Sequence, residues 1–166
     1  MLNDRDACVR FSLGNAGYGL PLAEIREITP ILRIFPVPLA PRSIRGVCSH
    51  RGRVVTLLDA GALMGRDLPA ARRDDDKLAI LLAPPHGHLA VYVHGPVEMD
   101  RIDPRQQVAR ATQRAAGGSD VRSDDSFSPI PMAMRAAEEG ILTLLSCADL
   151  IFRCEAEIRG GFRRQR

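Results

Sequence analysis

Tryptophan is absent from this 166-residue sequence, tyrosine occurs twice, and Lys77 is its single lysine. The few rings sit mostly inside apolar strand patterns. That argues against a small barrel binding single-stranded nucleic acid, where aromatics interleave with basic residues so that bases stack on rings. No apolar run approaches the roughly 20 residues needed to span a bilayer. Asn3, Asp4, Arg5 and Asp6 lack the apolar stretch of a secretory signal, so a cytoplasmic protein is expected. Also missing are CxxC pairs, HExxH, the G-x-S-x-G elbow, the G-x-x-x-x-G-K-[ST] loop and G-x-G-x-x-G. No catalytic residue, cofactor or metal site is therefore assigned.

What remains is an ordinary globular balance of 45% hydrophobic and 26% charged residues. The net charge of +3, almost all arginine on the positive side, is too mild to argue for a nucleic-acid partner by itself. Arg159, Arg163, Arg164 and Arg166 form a basic tail, read as solvated. Cys8, Cys48, Cys147 and Cys154 are scattered among apolar neighbours, which fits buried thiols in a reducing compartment.

The chain alternates apolar and polar residues from Cys8 to Leu13, turns at Asn15–Gly17 and extends again over Tyr18–Leu20. Pro21 opens a short helical turn across Leu22–Arg26, and Pro30, Pro36, Pro38 and Pro41 punctuate a mostly extended stretch. Ile44–His50 and Val54–Leu58 read as strands around a tight turn at Arg51-Gly52-Arg53. Asp59 is placed to cap a short helix ending at Gly65. Arg66–Asp76 reads as a solvated linker. Leu78–Ala83 and Leu89–Val93 flank a hairpin tip, and Val97–Ile102 suggests another strand. Arg105–Ala116 suggests a helix and Gly117–Ser128 a loop. Ile141–Leu145 is a last strand, Cys147–Phe152 a last short helix, and Gly160–Arg166 a disordered tail.

Val54–Asp59 followed by Leu63 echoes Ile141–Ser146 followed by Leu150. Each is an apolar strand ending in a helix-capping residue, Asp59 or Ser146, with leucine four positions on. A duplicated strand–helix corner in two related subdomains accounts for both. Many short strands with frequent turns favour small β-barrels over one large sheet. A single domain over 8–155 is expected, with flexible termini at 1–7 and 156–166.

Rival chemistries are thin. Cys48 and His50 share a strand face and His86, His88 and His94 lie close in sequence, but these fit a strand and a polar hairpin tip better than a metal site. Ser49 and His50 point to opposite faces. Glu24 with Glu27, and Glu138 with Glu139, read as solvated carboxylates. A basic barrel binding nucleic acid through its arginines stays open as an alternative.

Tyr18-Gly19-Leu20-Pro21 followed by Ile25-Arg26-Glu27-Ile28, then Pro36-Val37-Pro38 and Ala40-Pro41, then Ile44-Arg45-Gly46-Val47, Arg51-Gly52, Val54 and Asp59, resemble in order and spacing the conserved core of CheW-like domains. The similarity runs from about Phe11 to Ile151. Departures include Ser49-His50 in place of asparagine–leucine, and Thr56 in place of a proline. The resemblance implies two intertwined, five-stranded SH3-like barrels with a few short helices. It implies a non-enzymatic adaptor, without cofactor, that couples methyl-accepting receptors to a CheA-type histidine kinase at membrane-associated arrays. A non-flagellar pathway, such as pili or surface sensing, is an alternative setting. Its partners would be the kinase regulatory domain and the receptor's signalling tip, met by Ile25, Glu27, Ile28, Gly46, Val47, Arg51 and Gly52. Arg51 equally suits bracing the barrel; Asp59 and Ser146 are assigned to helix capping.

Overall fold

The computed structural model describes residues 7–66, 68, 76–111, 132–137 and 140–163, with side chains described over 7–66, 68, 76–102 and 142–160. The chain begins with β1 (Ala7–Leu13), whose alternating pattern buries Val9, Phe11 and Leu13, and β2 (Ala16–Pro21), its hairpin partner. Pro21 then opens a 3-10 turn at Leu22–Glu24, shorter than the helical turn expected from sequence, and β3 (Ile25–Pro30) begins at once. After the proline-rich stretch come β4 (Ile44–His50), β5 (Arg53–Asp59) and α1 (Ala60–Met64). The β6–β7 hairpin (Lys77–Leu82, Leu89–His94) follows, then β8 (Glu98–Ala111), β9 (Met132–Ala137), β10 (Gly140–Leu144) and α2 (Cys147–Arg163).

These strands make two five-stranded sheets. One, in the order β1-β2-β10-β9-β8, closes on itself as β8 returns to β1. The other, in the order β3-β6-β7-β5-β4, is built from the middle of the chain. The mainly β, two-lobed architecture expected from the sequence is present, with one lobe closed by hydrogen bonds. The second stops at a seam between β3 and β4.

One apolar core joins the lobes. It includes Phe11 and Tyr18 from the closed barrel, Leu58, Ile80 and Val91 from the second sheet, and Leu63 and Leu150 from the two helices. The sequence echo is therefore a spatial one: β5 leads into α1 and β10 into α2, and the matching leucines are buried in the same cluster. A smaller cluster of Ile31, Cys48, Val55, Leu57, Ala79, Leu81, Ala90 and Tyr92 fills the second lobe beneath the seam.

Two local readings differ from the structure. Ala-rich Arg105–Ala111 continues β8 instead of forming a helix, because pairing with β9 overrides its local preference. Met132–Ala137, to which no element is assigned from the sequence, is also held as a strand, β9, by pairing with β8 and β10 although all its residues favour helices. The last helix runs past Phe152 to Arg163, supported on its exposed face by Glu155 and Arg159, 3.1 Å apart at i,i+4. The expected linker before Asp76 and the loop after Gly117 lie almost wholly outside the described residues. No helix among the described residues is long and apolar enough to cross a membrane.

Candidate functional site: the β3–β4 seam

The β4–β5 hairpin is closed by the pair His50–Arg53, which leaves a two-residue loop of Arg51 and Gly52. Both have positive φ, +49° and +76°. That is the type I′ pattern, whose twist matches the flanking strands. Glycine suits this backbone; arginine does not, and it costs about 1 kcal/mol or more to hold it there. What the strained residue gains is position: its guanidinium donates to Glu27 Oε1 at 3.0 Å.

Glu27 reaches the same place from β3. The β3–β6 register shifts between Ile25 and Glu27, an irregularity of the kind that re-aims side chains. The second carboxylate oxygen lies 3.3 Å from His50 Nε2. One carboxylate thus spans the seam and holds two residues of β4 and its loop, where the backbone ladder is missing. Arg51 is well exposed, so the ion pair itself adds little stability.

Below the bridge lies a groove of about 380 Å³. Its floor includes Ile31, Val55, Ala79 and Leu81, and its rim includes Arg33 and Phe35. The Phe35 segment lies against β4 through a two-way bridge, Phe35 N–H to Val47 carbonyl and Val47 N–H to Phe35 carbonyl, each 2.8 Å. Gly46 makes this approach possible.

The structure brings Glu27, Arg51 and Gly52 together at the seam, with Gly46 and Val47 along the same strand edge. Ile25 and Ile28 are only half-buried but pack against the main core, so their apolar surface faces inward. Sequence reasoning missed His50 as a member of the cluster. It also missed the groove lip, where Leu32 is 96% and Phe35 43% exposed. The unusual apolar residues between the prolines were the available signal.

Asp59 caps α1, its Oδ1 accepting the Ala62 N–H at 2.9 Å. Arg45 lies 4.0 Å from its other oxygen and 5.3 Å from the Tyr92 ring centroid. At α2, Ser146 supplies the carbonyl that accepts the Leu150 N–H, while the Cys147 N–H donates to Glu24 at 2.7 Å. Glu24, read from sequence as solvated, instead ties the turn between the lobes to the last helix.

All four cysteines are buried, and burial raises each thiol pKa above its ordinary value. Cys8 is pushed up to about 11, by burial first and by Asp100 second, against a lowering by Arg10. Cys147 is raised by burial and then by its Glu24 neighbour. Above pH 9 the unfolded chain loses thiol protons that the folded chain keeps. Stability attached to Cys8 is therefore complete below pH 9 and falls by about 2 kcal/mol as pH rises to 11. Urea unfolding at pH 7.5, 9 and 10.5 should show the decline. It should be reduced in Cys8→Ser, and an undiminished decline would refute the assignment.

The described geometry contains no arrangement that points to a reaction, but the order of its strands is informative. The model of the CheW-like domain family matches residues 7–127. No curated protein matches the sequence. Among solved structures, the scaffolding protein TtCheW from Thermoanaerobacter tengcongensis is similar at a TM-score of 0.65 and 16% identity, over 88% of this chain and 87% of that one. At so low an identity the structural likeness speaks for the fold alone. The family match covers most of the chain, including the whole second sheet and its seam, and on that ground the chain belongs to the CheW-like domain family.

Proposed function

We propose that the protein is a non-enzymatic chemosensory adaptor that couples a methyl-accepting receptor to a CheA-type histidine kinase. The observation that carries this reading is the Glu27–His50–Arg51 bridge. It holds the edge of a CheW-like lobe in a fixed shape and leaves Arg51 exposed beside a groove with an apolar floor. An apolar centre with a polar rim is the layout of a protein interface. Gly46, Val47 and Gly52 shape that edge, while Ile25 and Ile28 support it from the core side. The partners are the kinase regulatory domain and the receptor signalling tip, met in the cytoplasm at receptor arrays. Residues 8–155 act as one domain.

The test is a pull-down of the purified protein with a cognate receptor signalling fragment and the kinase regulatory domain. Wild type should retain at least one of them. Glu27→Ala and Arg51→Ala, each shown to be folded, should weaken retention at least fivefold. Capture of neither partner by wild type would overturn the coupling reading.

A further inference from the structure

The outer edge of β4 is only partly covered. Val47 turns its N–H and C=O away from β5 and gives both to Phe35. The two-residue loop makes His50–Arg53 a hydrogen-bonded pair, so Ser49, like Val47, points its backbone groups outward. Among the described residues, no backbone group pairs with Ser49 on that side. Its edge borders the groove.

Two features of the groove define what fits there. Its floor is apolar, and at the rim Arg33 lies over the Phe35 ring at 4.7 Å, which orients the guanidinium. Among the described residues Arg33 forms no ion pair. A helix satisfies its own backbone and has nothing to offer the Ser49 edge. An extended segment does, and its alternation sends successive side chains to opposite faces.

We propose that the seam binds an extended partner segment by strand addition to β4 at Ser49, with apolar side chains facing the groove floor and alternating acidic ones reaching Arg33. This goes beyond the coupling reading and does not depend on it, because the probe is neither receptor nor kinase.

The probe is the capped peptide acetyl-TVDVDVT-amide, titrated into the full chain and followed by backbone amide NMR. The expected result is a shifted, exchange-protected Ser49 amide. Affinity should fall at least tenfold when lysine replaces aspartate in the peptide, and at least tenfold in Arg33→Glu. Ser49→Pro should abolish binding. It removes an outward N–H on an edge strand, where proline is tolerated, and its fold is checked by circular dichroism. If that variant does not fold, protection of the Ser49 amide in wild type decides. Absence of binding, equal binding of the lysine peptide, an unprotected Ser49 amide, or tighter binding of a helical acidic–apolar peptide would each overturn the proposal.

Discussion

Gly46→Ala should destabilise the protein by about 3 kcal/mol. For a chain of this size that lowers Tm by roughly 10 °C. Two causes act together. The φ of +146° is one that residues with a Cβ rarely adopt. The added methyl would also sit 2.5 Å from the Phe35 carbonyl oxygen and 2.8 Å from Ile34 Cγ2. The first of these is backbone, held by the paired bonds to Val47, so it cannot swing aside. Gly52→Ala is the internal comparison. Its φ of +76° is also left-handed, but nothing lies within 4 Å of the added carbon. It should cost about 1 kcal/mol. Denaturant unfolding of both variants decides the matter, and a Gly46→Ala loss no larger than that of Gly52→Ala would show that the Phe35 segment yields.

Leu150→Ala should cost about 3 kcal/mol, in the usual range for a fully buried leucine. The informative part is where the loss is felt. Leu150 is 0% exposed and lies in the cluster that draws on both sheets and both helices. Truncating it should weaken the seam lobe as much as the closed barrel, although α2 follows a barrel strand. The absence of tryptophan makes this measurable: Tyr18 lies in the closed barrel and Tyr92 in the seam lobe. Tyr18→Phe and Tyr92→Phe leave one emitter in each lobe. Urea midpoints from the two reporters should coincide, in wild type and again in Leu150→Ala. Midpoints that separate would mean the lobes unfold independently.

Much of the second sheet was legible in the sequence. β-branched and apolar runs such as Val54–Leu58 and Leu89–Val93 carry their strand preference locally, and Arg51-Gly52 marks a turn by its chemistry. The far end of β8 and all of β9 were not legible, because alanine, methionine and arginine become strands there only through pairing with each other. At the candidate site, Glu27 and Arg51 stood out through family resemblance, and nothing local said that they touch. Their contact joins β3 to the β4–β5 loop across a seam that no backbone pairing announces. His50 was weighed only as a metal or catalytic candidate, because its real partner is 23 positions away. Glu24 escaped for the same reason at greater range, its partner being the N–H of Cys147.

The closed barrel takes its strands from the two ends of the described chain, and the pairing of Tyr18 with Thr143 joins them. The seam lobe, by contrast, is a contiguous passage threaded between those ends. Contacts close in sequence form faster than contacts far apart, since less chain entropy is lost in closing the shorter loop. The seam lobe should therefore mature first. On a ribosome its hairpins can assemble before β10 has been synthesised, leaving the other lobe to close like a clasp around finished work.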